Sequence, residues 1–203
     1  MKLSQVTRVL VGLVVTLCGL AIVSTSLVNL TVAEDQASQE QQRAAEVEPL
    51  TVADSPSELQ IGEVFAKIRI PRFGEDYVRN IAEGTNLQKV LNTVGIGHYT
   101  ASQMPGEVGN FALAGHRAGN GGPMRLIDKF QAGDQVTVET ATGTFTYRYV
   151  ESKIVSPEAV GVVRPVPEGL TGAVATGKYL TLTTCTPIYI NTERYVAWFE
   201  LID

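Results

Sequence analysis

The sequence is best understood from one segment, Lys178-Tyr179-Leu180-Thr181-Leu182-Thr183-Thr184-Cys185-Thr186-Pro187. Its first six residues are rich in β-branched and aromatic side chains, which predicts a β-strand. Pro187 cannot continue a central strand, so Cys185 falls at the C-terminal end of this one. A thiol at a strand end is held rigidly and can still be reached by a substrate.

Two further polar residues lie at predicted strand ends. Arg194 precedes the strand Tyr195–Leu201, and a hairpin between this strand and the preceding one would bring it beside Cys185. His116 directly follows the apolar run Phe111–Gly115. Cysteine, histidine and arginine are the components of a thiol acyl-transfer site, in which the planar arginine holds the developing oxyanion.

Each of these assignments has a less specific alternative. The cysteine could be a buried structural residue, as free cysteines often are. His98, which also follows a glycine, is the alternative to His116 as the base. Spacing alone favours His116 but does not exclude His98. Arg194 could instead form a surface ion pair with a neighbouring acid, Glu193 or Glu200.

The chain has only two cysteines, and their positions exclude a disulfide within the predicted domain. Cys18 lies in an apolar segment, so Cys185 has no partner there. A solitary thiol in a compartment that permits disulfides indicates reactive chemistry. One cysteine and two histidines form no familiar metal-binding spacing, so we expect neither a metal nor another cofactor.

The N-terminal segment predicts a membrane anchor. Val9–Ala33 carries no charged residue and is long enough to span a bilayer. The alternative is a cleaved signal peptide, for which Thr31-Val32-Ala33 offers a weak cleavage site. Because Lys2 and Arg8 precede the span, the positive-inside rule places the N-terminus in the cytoplasm and the rest of the chain outside.

Charge divides the rest of the chain into two parts. Residues 34–60 contain seven acids against one arginine, which predicts an acidic flexible linker, with local helix possible over Gln36–Glu46. Residues 61–203 hold 13 basic and 14 acidic side chains. This near-neutral composition has no basic patch, so nucleic acid is not an expected partner. We therefore expect residues 1–33 to form the cytoplasmic tip and anchor, and 61–203 the catalytic domain.

The domain is predicted to be mostly β. Short helices are expected only at Asn86–Thr93 and Met124–Phe130, and Thr140–Gly143 has the composition of a hairpin turn. Val162–Gly177 is a long loop that leads into the cysteine strand and is a candidate substrate wall. Several short strands with glycine and proline turns favour a closed or partly closed barrel. The clearest strand patterns are Phe65–Ile70, Phe111–Gly115, Gln135–Glu139, Thr144–Val150, Tyr179–Thr184 and Tyr195–Leu201.

Residues 61–203 resemble a sortase, a membrane-anchored cysteine transpeptidase of Gram-positive bacteria. The resemblance depends on Thr181–Cys185, on Gly115-His116-Arg117 and on Arg194, in that order and at similar spacing. It implies a closed barrel of about eight strands with short helices after one transmembrane helix. It also implies Cys185 as nucleophile, His116 rather than His98 as acid and base, and Arg194 at the oxyanion.

Within that family the chain is most similar to class E sortases of high-GC Gram-positive bacteria. The resemblance implies a Leu-Ala-x-Thr-Gly or Leu-Pro-x-Thr-Gly-like sorting signal on secreted proteins and a peptidoglycan precursor amine as acceptor. It also implies that Tyr99, before the histidine strand, contributes to the choice of signal. Thr183 and Thr184 flank the thiol and are further candidates for substrate binding. The segment Ile188-Tyr189-Ile190 departs from the more basic sequence expected there.

Three other functions remain open at this stage. A pilin-polymerising sortase would use a lysine side chain as acceptor, and a sortase-like hydrolase would use water. A non-catalytic surface-binding domain would require the cysteine, histidine and arginine to coincide by accident.

Overall fold

Eight strands close into a barrel in the computed structural model, which describes residues 5–47, 50–52 and 58–203. The predicted mostly β architecture is therefore confirmed. The strands, in chain order, are β1 (Val64–Arg69), β2 (Val78–Glu83), β3 (Ile96–His98), β4 (Gly109–Gly115), β5 (Gln135–Thr140), β6 (Thr144–Val155), β7 (Lys178–Thr186) and β8 (Glu193–Leu201).

The strand order around the barrel is β1-β2-β3-β4-β7-β8-β6-β5, and β5 pairs with β1 to close it. Two pairs, β2 with β3 and β4 with β7, are parallel, and the others are antiparallel. Parallel strands present their C-terminal ends at the same edge of a sheet. The ends of β4 and β7 are therefore neighbours, although 70 residues separate Gly115 from Cys185 along the chain.

Large side chains fill the barrel interior and hold the strands in register. Phe65, Phe111, Tyr147 and Phe199 are almost fully buried, together with branched residues of β1, β2, β3, β4, β5 and β7. A second cluster, around Trp198 and Val162, packs the loop before β7 against the outside of the barrel. Burial of an aromatic side chain of this size contributes about 2 kcal/mol or more to folding.

Helical structure in the barrel domain is limited to single turns, as the composition suggests. A five-residue π-helical turn, Leu87–Leu91, lies within the predicted helix Asn86–Thr93, and Asn86 caps it by accepting from the backbone amides of Gln88 and Lys89. The predicted helix Met124–Phe130 is reduced to the 3₁₀ turn Ile127–Lys129. Two further 3₁₀ turns are Pro71–Phe73 and Val160–Val163.

One long helix, α1 (Gln5–Val47), precedes the barrel. By length and composition it could cross a membrane. The large apolar side chains from Val9 to Val32 are 47–66% exposed, so the barrel does not cover them. This arrangement is consistent with a membrane anchor, since lipid would then be their solvent.

The structure differs from the expected flexible linker over residues 34–47. This stretch continues α1 without a break and packs on β2, where Gln41 and Ala45 are buried. Arg79 of β2 donates from Nη1 to Gln42 Oε1 (2.8 Å) and from Nη2 to Ser38 Oγ (2.6 Å). Glutamine, glutamate and alanine are good helix formers, so a composition low in large apolar residues does not exclude helix here.

The predicted anchor boundary at residue 33 therefore lies inside α1. Of the remaining linker, residues 48–49 and 53–57 lie outside the described chain, and the domain division stays a prediction.

Candidate active site

The register of three adjacent strands brings the predicted site residues together. In the parallel pair β4–β7, Ala114 is opposite Thr183, and continuing this register by two residues brings His116 alongside Cys185. In the antiparallel pair β7–β8, Cys185 is directly opposite Arg194. Neighbouring strands lie about 5 Å apart, so one residue flanks the cysteine on each side.

All three residues line one open cleft with a volume of about 250 Å³. The prediction that a hairpin returns Arg194 to the thiol is thereby confirmed. The cleft is lined by Thr85, Leu87, Leu91, Tyr99, Ala114, Gly115, His116, Thr183, Thr184, Cys185 and Arg194.

Cys185 is a free, partly buried thiol at the penultimate position of β7. Two buried threonine hydroxyls fix this strand to β4. Thr184 Oγ1 donates to the carbonyl of Gly115 at 2.7 Å, and Thr183 Oγ1 donates to that of Leu113 at 3.0 Å. Their protons are thus used inside the protein, where they hold the cysteine strand in register. A role for either threonine in binding substrate stays a prediction.

His116 is oriented by an asparagine that sequence reasoning did not find. Its Nε2 atom lies 2.9 Å from Asn92 Oδ1, which also accepts from Asn120 Nδ2 at 3.2 Å. An amide oxygen can only accept, so Nε2 carries the proton, while Nδ1 has no hydrogen-bond partner among the described residues. Burial lowers the pKa of His116 below its ordinary value, so the ring is mainly neutral near pH 7.

Asn92 follows the turn Leu87–Leu91, and nothing in the local sequence marks it as a partner of His116. The two residues are 24 positions apart and belong to no recognisable motif. Cysteine, histidine and asparagine form a known catalytic combination, so residue type alone was the available signal.

His98, the competing base, lies away from the cleft in a buried network. Its Nδ1 is 2.7 Å from Glu83 Oε2 and its Nε2 is 2.8 Å from Ser102 Oγ. The ring is fully buried and packs against Phe65 and Phe111. Although serine, histidine and glutamate are connected here as in some hydrolases, no substrate reaches them. His98 thus ties β3 to β2 and to the following loop.

Arg194 presents its guanidinium to the cleft while the β7–β8 turn holds one end. Its Nη1 donates to the carbonyls of Asn191 (3.1 Å) and Glu193 (2.9 Å). No ion pair within 4.0 Å forms between Arg194 and any described residue, so the surface pair considered for Glu193 or Glu200 is absent. Donors of the guanidinium therefore remain for a ligand.

Arg117, which follows His116, is held by contacts within the protein. It donates to Thr186 Oγ1 at 2.6 Å and pairs with Asp128 at 3.0 Å. Its guanidinium carbon lies 5.4 Å from the ring centre of Tyr195. These contacts stabilise the C-terminal end of β7. Because Arg117 is also buried, it is not available to stabilise an oxyanion.

Tyr99 lies at the junction of the cleft and a second, apolar pocket. Its hydroxyl is 3.0 Å from Thr183 Oγ1. Because Thr183 already donates to Leu113, the Tyr99 hydroxyl is the donor in this contact, and its own oxygen keeps the capacity to accept. The second pocket, about 100 Å³, shares Tyr99, Thr183 and Arg194 with the cleft and is otherwise lined mostly by small apolar side chains of the loop around Val160–Val163.

Comparison with known proteins points to one family. The family model for the sortase domain matches residues 68–202. Sortase SrtE1 of Streptomyces coelicolor is 39% identical over 155 residues, which are 73% of this chain and 43% of that protein. Sortase SrtE2 of the same organism is 35% identical over 73% of this chain and 60% of its own length.

A solved structure agrees with the sequence comparison. The crystal structure of Sortase E1 from Streptomyces coelicolor with a tripeptide in the active site has a TM-score of 0.65 and 37% identity, covering 74% of this chain and 92% of that one. The chain spans less than two thirds of the length of these two curated relatives.

Proposed function

Because the chain belongs to the sortase family, we propose that it is a membrane-anchored cysteine transpeptidase that cleaves a sorting signal between threonine and glycine. It then joins the released acyl group to an amine of a cell-wall precursor. The observation that carries this proposal is the meeting of Cys185, His116 and Arg194 in one cleft through the registers of β4, β7 and β8. The likeness to class E sortases supports a Leu-Ala-x-Thr-Gly type of signal.

The first half of the reaction forms a thioester. His116 Nδ1 takes the thiol proton of Cys185, and the thiolate attacks the threonine carbonyl carbon. Donors of Arg194 stabilise the tetrahedral oxyanion. When the intermediate collapses, the carbon–nitrogen bond breaks and the imidazolium of His116 gives its proton to the leaving glycine amine.

The second half reverses these roles. The amine of the precursor attacks the thioester carbonyl, and His116 accepts its proton. Collapse of the second intermediate expels the Cys185 thiolate and leaves a new amide. Because burial lowers the pKa of His116, only a minor fraction of the enzyme holds the thiolate and imidazolium together, and we expect slow turnover.

The pocket beside Tyr99 supports an apolar residue at the start of the signal. Valine and alanine side chains from residues 155–163 line it, and it adjoins the cleft through Tyr99 and Arg194. A leucine side chain would bury its apolar surface there. Of this lining, only Val162 and Val163 belong to the loop Val162–Gly177 that the sequence predicts as a substrate wall, and a substrate role for that loop stays a prediction.

The proposed setting is the outer face of the cell membrane. The exposed apolar part of α1 would span the bilayer, with the N-terminus in the cytoplasm and the barrel outside. Secreted proteins that carry the signal and the lipid-linked precursor would both be reached there.

Mass spectrometry of the full-length protein in detergent tests the chemistry. Incubation with Leu-Ala-x-Thr-Gly and Leu-Pro-x-Thr-Gly peptides should leave the acyl fragment as a thioester on Cys185, and added triglycine should convert it to an amide. Cys18→Ala is the matched control, since it removes the other thiol and should change nothing. Peptide cleavage by Cys185→Ala would refute the mechanism. A free acid in place of the triglycine product would indicate a hydrolase.

A further inference from the structure

A glutamine of the N-terminal helix lies in a slot beside the histidine. Gln41 is 7% exposed, although it belongs to α1 and precedes His116 by 75 residues. Its Nε2 atom donates to the carbonyl of Asn120 at 3.0 Å and approaches that of Thr93 at 3.5 Å. One side chain thereby bridges the segment after His116 and the segment that carries Asn92.

Two glycines form this slot. A Cβ atom at Gly95 would lie 2.7 Å from Gln41 Oε1, and one at Gly121 would lie 2.9 Å from it. Both also have positive φ angles, +102° and +79°, which other residues rarely adopt. The barrel therefore has a site shaped for Gln41.

Contacts on either side of Gln41 hold α1 against the barrel. Glu34 accepts from the backbone amide of Gly119 at 2.7 Å and pairs with Arg125. On the other flank, Ser38 and Gln42 accept from Arg79. Two side chains of α1, Glu34 and Gln41, thus contact the glycine-rich loop 118–122.

A continuous set of hydrogen bonds leads from this slot to the site. Asn120, whose carbonyl accepts from Gln41, donates from its side chain to Asn92 Oδ1. Thr93, the other acceptor of Gln41, is the next residue after Asn92. Asn92 Oδ1 in turn accepts from His116 Nε2. Both segments that place the Asn92 oxygen are therefore held by Gln41.

We propose that Gln41 is a positioning residue for the acyl transfer: through Asn120 and Thr93 it holds Asn92 against His116, so that the docked helix is part of the active enzyme. The inference rests on the proposed role of His116. Asn92 keeps the proton on Nε2 and leaves Nδ1 free for the reacting groups, and it favours the imidazolium because a charged donor forms the stronger hydrogen bond. The other charged or titratable groups that line the cleft are Tyr99, Cys185 and Arg194. The hydrogen bonds of Gln41 go to Thr93 and Asn120 and to none of these three residues.

The test compares three variants of the full-length protein in detergent. Gln41→Met keeps the length of the side chain and removes the donor, together with an Oε1 atom that is buried without a partner. Gln41→Ala removes the whole contact. Gln36→Ala, an exposed glutamine on the same helix, is the matched control. Each is measured for kcat, KM, thermal midpoint and the pH dependence of kcat/KM.

We expect kcat to fall roughly three- to tenfold in both Gln41 variants with KM nearly unchanged, the size typical of coupling through an intermediate residue. Gln41→Met should retain the thermal midpoint, because an apolar side chain replaces a partly unsatisfied polar one. The acid limb of kcat/KM should move to lower pH. Gln36→Ala should match the wild type in every measurement.

Nitrogen-15 NMR of the imidazoles gives a readout that loss of stability alone would not move. The chain has only two histidines, and buried His98 is an internal reference. In the Cys185→Ala background, Gln41→Met should lower the pKa of His116 and weaken its preference for the Nε2–H tautomer, while His98 is unaffected. An unchanged His116 spectrum and pH profile in both Gln41 variants would overturn this inference. Full activity of His116→Ala would instead overturn the proposed function.

Discussion

Cys185 and Arg194 are paired residues on β7 and β8, and the turn that joins these strands holds the arginine by one nitrogen. The strand register thus places the two residues directly opposite each other, and the remaining donors of the planar guanidinium suit a role at the oxyanion. Lysine would keep the charge but could not bond the turn and a substrate oxygen together in this geometry.

We therefore expect Arg194→Lys to lower kcat roughly 10²-fold, as removal of an oxyanion donor does. Peptide cleavage by the purified protein measures this. Arg69→Lys is the control, because Arg69 lies on β1 and pairs with Glu139 at the barrel surface. Near-normal activity of Arg194→Lys would show that charge alone suffices or that another group holds the oxyanion.

The pH dependence of kcat/KM should reflect the burial of His116. The reactive form needs a thiolate and an imidazolium, and in such a pair the lower pKa, here that of the histidine, sets the acid limb. Since burial lowers this pKa, the acid limb should lie below pH 6.5. Asn92→Ala should move it lower still and slow the reaction several-fold, because the imidazolium loses its acceptor. An acid limb above pH 6.5, or one that does not move in Asn92→Ala, would contradict the assignment of His116 as the acid and base.

The two histidines should separate into a structural and a chemical role. His98→Ala leaves the Glu83 carboxylate buried without its partner and should cost about 3 kcal/mol, or roughly 10 °C in the thermal midpoint. His116→Ala should leave the midpoint close to wild type but abolish transpeptidation. Thermal unfolding and peptide turnover at low temperature measure both effects. An inactive, folded His98→Ala beside an active His116→Ala would reverse the assignment.

Tyr99 should contribute to the choice between alanine and proline at the second signal position. Alanine offers a backbone N–H that proline lacks, and the Tyr99 oxygen can accept it while donating to Thr183. One such hydrogen bond is worth about 1 kcal/mol, so Tyr99→Phe should narrow a preference for the alanine peptide several-fold without stopping catalysis. The measurement is kcat/KM for both peptides with both enzymes. If the ratio of kcat/KM for the two peptides is the same in both enzymes, Tyr99 does not contribute to the choice of signal. A wild-type preference for the proline peptide would contradict the class E signal.

The basic residues Lys2 and Arg8, which precede the apolar span Val9–Ala33, predict the orientation of the chain in the membrane. Protease added to intact, wall-stripped cells should degrade the barrel while the apolar span remains protected. A protected barrel would mean the opposite orientation. Recovery of the barrel in the medium, with a new N-terminus near Glu34, would indicate a cleaved signal peptide instead.

Strand prediction succeeded where burial alternates or the run is strongly apolar, and failed elsewhere for physical reasons. The six predicted strand patterns all match observed strands. β2 was missed because every one of its residues is buried, including the polar Arg79, Asn80 and Glu83, so the sequence shows no alternation. β3 has only three residues, too few to show a period.

The local sequence by itself determined which reactive groups this protein offers and where they lie on the strands: a thiol near the end of one strand, a histidine after another, an arginine at the start of a third, and an apolar segment long enough to span a membrane before them. These features depend on residue type and on periods of a few residues, which the sequence displays directly. Only the tertiary structure decided which histidine lies beside the thiol, since His98 and His116 both follow a glycine at a strand end. The β4–β7 register brings His116 alongside Cys185, whereas the β2–β3 pairing places His98 opposite Glu83, where it is buried. The tertiary structure also brought Asn92 and Gln41 close to His116. Contacts between residues tens of positions apart depend on packing and leave no periodic pattern in the sequence.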